Sequence, residues 1–452
     1  MTSAVSAKGP VGGRPIRAWH WLASAALAVV AVIAADALRT APDAPVATAP
    51  ALDPRTLVAG FGPADYPDAL AAADLAVEGR RMDLERHPDE WLRMEVLAKA
   101  LVARFRLSAD PADLAEARDL LDRALASVPS PAGPALTGAE AALLRHDLDG
   151  AERALARFDA SAVPPPATEQ TVANSIRCEI AFERGQLVRA RELCGGTDMA
   201  SVLRRANIAA KSGNVSEAKR IVEAQLRLPR LPPQVLAALT LQRASLALNE
   251  GDWDGSGQWA RAAERVFPGY WLSEAFVAQQ LALEGKPAEA IERYAEIAEH
   301  TGEPDVLDAL ARLTQGTESE GWAAKAGTAW EERAQLLPTT YATHHAEHLL
   351  LRGDQARALA LAEADYRRRP YPGTIVHYAY ALWRADQPDR ALEVVRKGEA
   401  DGFLTAEMKF IEAVSLGSLG RASEAAEALS AARRLNPRID SQRQQYVTFG
   451  RD

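Results

Sequence analysis

The feature that most limits what this 452-residue chain can fold into is a recurrence of small residues, glycines and prolines at a near-constant interval. In LGSLGRASEAAEALSAARRLNP and the residues just before it, Ala413, Leu416, Gly420, Ala425, Leu429, Ala432 and Pro437 run in a fixed order. The order is small, large, turn glycine, small, large, small, terminating proline. Ala391 lies 34 residues before Ala425, and Gly251 lies 34 before Gly285. Related signals stand at Gly353, Ala358 and Pro370, at Ala290 and Tyr294, at Gly213 and Ala218, and at Gly185 and Ala190. Ala151 and Ala117 hold the same second-helix position further upstream. Each feature has a physical cause. Two antiparallel helices approach closely only where side chains are small, and the turn between them needs a residue tolerant of positive φ. Proline ends the second helix because it cannot continue it. One such pair cannot bury its apolar face alone, so pairs must stack.

Composition agrees. Hydrophobic residues make up 48% of the chain but aromatics only 6%, and Ala and Leu dominate the apolar share. These are the strongest helix formers, whereas sheets need Val, Ile and Thr in bulk. Beyond about residue 62 no sustained period-two alternation appears. The predicted class is all-α, an α-solenoid superhelix of antiparallel helix pairs preceded by one N-terminal hydrophobic helix. Net charge is −9, and the longest basic run, Arg367-Arg368-Arg369, reads as a helix end. Phosphate-backbone binding needs a clustered positive field, so nucleic acid is not expected as a partner.

The unit resembles the tetratricopeptide repeat (TPR) family over roughly residues 90–440, most closely over 336–440 and more loosely over 62–335. The earlier turns depart from 34, as in the steps of 28 from Gly185 to Gly213 and 38 from Gly213 to Gly251. Residues 303–338 form another pair, with Trp322 and Trp330 on its second helix, a long turn from Gln315 to Gly321, and Pro338 at its end. The resemblance implies a non-catalytic scaffold that binds a protein or peptide in a concave groove lined by first helices, with no cofactor. In the TPR register Glu347, Val376, Tyr380, Trp383, Arg384 and Phe410 point into that groove as an aromatic, mixed-charge surface of the kind peptide recognition uses. Packing of Trp383 between repeats is the alternative. A TPR subclass clamps a terminal carboxylate with Lys and Asn. Here Asn207 fits the Asn position but Leu203 stands at the Lys position, with Lys211 one turn away. That clamp is therefore largely absent.

The N-terminus addresses the chain elsewhere. Residues 1–17 carry Lys8, Arg14 and Arg17 without an acid, and Ala18 to Ala35 is apolar apart from His20 and Ser24. Residues 18–38 read as a single-pass signal-anchor or as a cleaved signal peptide with Ala35-Asp36-Ala37 as its site. A Pro/Ala-rich linker follows over 39–61, and 441–452 reads as a polar tail. Either reading makes the membrane a partner through this segment and puts the body outside the cytoplasm, in the periplasm of a Gram-negative cell.

Three constellations remain. His344-His345-Ala346-Glu347-His348 contains H-x-x-E-H, the pattern of inverted zinc metallopeptidases. His344 and His348 would share a helix face as ligands, with Glu347 as base. The same residues also fit a first helix with His345 in the core and His344 and His348 looking outward. Metal binding or metal-dependent hydrolysis through this cluster is thus the alternative function. Cys178 and Cys194 flank the turn at Gly185 on facing helices, where an oxidising compartment favours a disulfide; two buried thiols are the other reading. Trp253, Trp259, Tyr270 and Trp271, at helical spacing, read as packing between repeats.

Overall fold

The computed structural model describes residues 51–128 and 133–451. These form 21 α-helices and two short 3-10 turns, at Pro54–Thr56 and Gln442–Tyr446. No strand occurs among the described residues, only an isolated bridge between Ser212 and Leu404. The opening residues, including the expected hydrophobic helix at 18–38, lie outside the described residues. No described helix is long and apolar enough to cross a membrane.

A lone first helix, α1 (Tyr66–Arg86), precedes ten antiparallel pairs. The first three are α2 (Trp91–Ser108) with α3 (Pro111–Ser127), α4 (Ala135–Leu144) with α5 (Leu148–Asp159), and α6 (Ala167–Glu183) with the short α7 (Leu187–Leu193). Next come α8 (Met199–Lys211) with α9 (Val215–Leu226), α10 (Pro233–Asn249) with α11 (Trp253–Val266), and α12 (Trp271–Glu284) with α13 (Pro287–Thr301). The last four are α14 (Pro304–Leu313) with α15 (Gly316–Leu336), α16 (Ala342–Arg352) with α17 (Gln355–Arg368), α18 (Pro372–Arg384) with α19 (Pro388–Ala400), and α20 (Ala406–Ser418) with α21 (Ala422–Leu435).

Local chemistry sets these bounds. Asp110, Asp147, Asn214, Asp252 and Asp354 each cap a second helix by accepting a backbone N–H from its first turn. The alanines that mark the repeat are buried where paired helices cross: Ala117, Ala151, Ala190, Ala218, Ala290, Ala358 and Ala391 are fully enclosed. Leucines and the larger aromatics fill the spaces between pairs. Three inner turns use Ala109, His146 and Asp386 at positive φ where other pairs use glycine. The turn expected at Gln315–Gly321 is shorter than the sequence suggested: α15 begins at Gly316, so the chain reverses within Thr314–Gln315.

Apart from Thr197–Met199, the described residues belong to one compact unit, and its path is a superhelix whose successive turns touch. The carbonyl of Arg145 accepts from Thr339 (2.8 Å), 194 residues on. Arg184 donates to the carbonyl of Arg368 (3.2 Å), 184 residues on, and Leu404 N–H to the carbonyl of Lys211 (2.9 Å). Trp271 Nε1 donates to the carbonyl of Leu107 (3.2 Å). The third pair therefore meets the junction of the eighth and ninth, and the fourth meets the junction of the ninth and tenth. Glycine is required at this seam. At Gly185, which has φ of +73°, an added Cβ would stand 2.8 Å from the carbonyl oxygen of Pro370. Beside it the buried guanidinium of Arg369 binds Asp365 (2.8 and 3.0 Å) on its own turn and Glu183 (3.4 Å) on the other. A helix-pair array normally holds only nearest-neighbour contacts. Here the second turn adds long-range ones.

Candidate partner-binding channel

First helices line the inner side of the superhelix, and a short segment of the same chain, bent at Phe449–Gly450, lies against them. After the 3-10 turn Gln442–Tyr446, residues 447–451 run along side chains from five first helices, α8, α10, α12, α14 and α16. Val447 and Phe449 are buried, so part of the stretch read as a polar tail packs into the core.

The contacts are specific to each position. Val447 joins Leu248, Trp253 and Leu283. The buried Gln279 amide reads backbone from both ends: its Oε1 accepts from Thr448 N–H (2.6 Å) and Phe449 N–H (2.8 Å), and its Nε2 donates to the carbonyl of Phe449 (3.0 Å). The Phe449 ring packs against Phe276 (centroids 6.2 Å) and Tyr294 (6.3 Å). Arg312 donates to Thr448 Oγ1 (2.8 Å). Gly450, at φ +84°, approaches so closely that a Cβ would stand 2.7 Å from Ser245 Oγ and 2.9 Å from the Phe276 ring. Lys211 Nζ donates to the carbonyl of Arg451 (2.8 Å), and the Arg451 guanidinium forks onto Glu347 at 3.0 and 3.2 Å. His377 meets the same carboxylate at 3.2 Å. Burial would raise the Glu347 pKa, but Arg451, then His377 and Arg312, hold it at about 2.

The six expected groove residues are only partly brought together. Glu347 faces the channel, as its register implies, but it serves Arg451 and His377. Tyr380 and Arg384 lie one and two helical turns beyond His377 on the same face of α18. Both are exposed, with Arg384 Nη1 3.2 Å from Tyr380 Oη. Trp383 touches Tyr380 (centroids 5.8 Å), yet it is partly buried against the core and donates to Ser418 on the next first helix (3.1 Å). Val376 packs against the same core. Phe410 does not join them; it packs with Ala406, Ala432 and Ile439 inside its own pair.

The histidine cluster is differently arranged from the outward pair predicted. His348 is buried, with Nδ1 2.7 Å from Asp308, whose other oxygen accepts from Trp330 Nε1 (2.9 Å). His344 Nδ1 lies 3.2 Å from Asp305. Successive first helices lie side by side, so the face of α16 holding both histidines is covered by α14. His345 is also buried, stacked on Trp330, and burial lowers its pKa. Glu347 projects the other way, to Arg451. Among the described residues no group of three His, Cys, Asp or Glu side chains is placed to hold a metal ion.

Cys178 and Cys194 are joined in a disulfide with Cα atoms 5.4 Å apart. Lys211, one turn on from Asn207, holds the carbonyl of Arg451. Trp253 and Trp259 are buried in packing, the first beneath Arg438 (4.5 Å). The contributions of Phe276, Gln279, Tyr294 and Arg312 were not singled out from sequence. The apolar Val447 and Phe449 within the otherwise polar stretch 441–452 are the one sequence signal that could have pointed to them.

No family model matches the chain, and no curated protein matches it in sequence. Solved structures that resemble it include a tetratricopeptide repeat protein from Parabacteroides merdae, 12% identical, covering 56% of this chain and 98% of that one, with a TM-score of 0.35. A Rap protein complexed with Competence and Sporulation Factor is 12% identical over 69% of this chain and 98% of its own, with a TM-score of 0.36. Yeast Tom70 is 14% identical over 85% and 91%, with a TM-score of 0.33. The class is given by this chain's own geometry: an all-helical solenoid of TPR-like pairs enclosing an inner face.

Proposed function

We propose that the protein is a non-catalytic scaffold of the TPR kind that holds a protein or peptide partner on its inner face. The observation that carries this is the segment 447–451: the first helices already bind a peptide segment, through backbone, ring and charge together. The partner also meets Tyr380, Trp383 and Arg384, next to that segment. Aromatic and Arg side chains in a concavity are the groups that dominate peptide and protein recognition.

We place the body outside the cytoplasm, in the cell envelope, tethered or exported by residues 18–38. The basic residues before the apolar run support this placement, as does a disulfide, which persists in oxidising compartments. Envelope assembly, secretion or transporter maturation is the setting such a scaffold suits.

The test is a photo-crosslinking residue at Tyr380 in the native cell, with identification of what it captures. A single dominant protein, lost in Trp383→Ala/Arg384→Ala while the helical circular dichroism stays unchanged, is the expected result. Capture that ignores those two substitutions removes the patch as the partner site.

A further inference from the structure

The channel floor is more selective than a generic groove. Gln279 fixes the backbone at two residues, Thr448 and Phe449, with three main-chain hydrogen bonds whose shared acceptor requires the chain to bend there. Phe276 and Tyr294 demand a ring at the second of these. The next residue has no room for a Cβ beside Ser245 and Phe276, and its φ is in the left-handed region. The one after must carry a planar cation for the two oxygens of Glu347 and expose its carbonyl to Lys211.

We propose that this floor is a binding site for a segment of another protein with the pattern aromatic–glycine–basic, bent at the glycine, and that Val447–Arg451 is the chain's own occupant of it. The inference rests on the reading that partners use the inner face. Two observations separate this seat from ordinary core packing. Lys211 and Gln279 are buried polar groups satisfied by the segment, so a replacement must restore the same hydrogen bonds rather than only fill space. The segment also covers only part of the face. Beyond Arg451 the path continues through Glu347 and His377 to exposed Tyr380 and Arg384, which it does not reach. A partner's segment that continues along this path makes the same contacts and gains those of exposed Tyr380 and Arg384, which is what lets it displace the internal one.

The experiment uses the full chain, with Phe449→Ala/Arg451→Ala to loosen the internal occupant while leaving every channel residue intact. The probe is a fluorescent peptide of the sequence Tyr446–Asp452, followed by anisotropy. The proposal predicts that the double variant binds it at least about tenfold tighter than the wild type does, because a competent site already filled has its apparent affinity reduced. Probe peptides with Gly450→Ala or Arg451→Glu lose that binding, and Glu347→Gln added to the double variant weakens it. A helical double variant that fails to bind, binding indifferent to the glycine and arginine changes, or concentration-dependent dimerisation through exchanged tails overturns it. Failure here with the Tyr380 crosslink intact rejects the sequence pattern and leaves the scaffold reading standing. Peptide binding without a Tyr380 partner does the reverse.

Discussion

Gln279 is the residue on which most of the channel's geometry turns. Its amide is buried and makes three hydrogen bonds to a segment 169 and 170 residues away. Gln279→Leu keeps the volume but orphans the two N–H groups and the carbonyl. We expect a loss of about 1–3 kcal/mol by chemical denaturation and faster hydrogen exchange at Thr448 and Phe449. Unchanged exchange there would contradict the assigned role. Glu347 gives a pH signature. Its folded pKa of about 2 lies below the ordinary 4.5, so its ionised form favours the folded, segment-bound state. That contribution, at most about 3 kcal/mol, is fully present above about pH 4.5 and fades as the pH falls toward 2. Wild-type stability should therefore fall more steeply than that of Glu347→Gln between about pH 5 and pH 3. Denaturation midpoints across that range check it. At this scale the sequence conveyed little. The H-x-x-E-H spelling drew attention to His348, but the carboxylate that decides its environment, Asp308, sits 40 residues earlier. No spacing rule on one helix can show that.

At the scale of the element, the helix pair was legible wherever glycine marked its turn and alanine its crossing. Where Ala109 or His146 carries the positive φ instead, the turn lost its marker; Asp386 replaces the glycine too, but Ala391 at the 34-residue spacing kept that unit legible. The third pair is the most divergent, because α7 has only seven residues and buries little. The Cys178–Cys194 disulfide closes a 16-residue span over this pair. A loop of that size corresponds to about 3 kcal/mol in the chain-entropy account. We expect Cys178→Ser/Cys194→Ser, or reduction with a thiol, to lower the thermal midpoint measurably while leaving helix content near native. A midpoint unmoved by reduction would show that the packing around Ala190 and Phe182 suffices without the bond.

At the scale of the whole array, the seam between superhelical turns and the seated segment both depend on contacts between residues 104 to 240 positions apart. A repeat pattern describes neighbours and is silent about what lies one turn away. That is why the class of fold could be read from the sequence and the occupied channel could not. The seam ties the two ends of a repeat array into one cooperative body, and the segment 447–451 links first helices from the fourth through the eighth pair.

The most direct test of that account replaces Phe449 with a photo-crosslinking aromatic in the full chain and maps the linked peptides by mass spectrometry. The structure predicts crosslinks to Phe276 and Tyr294, on the first and second helices of one pair. Crosslinks only to solvent-exposed sites elsewhere, or only between molecules, would contradict a channel that reads a peptide segment from within.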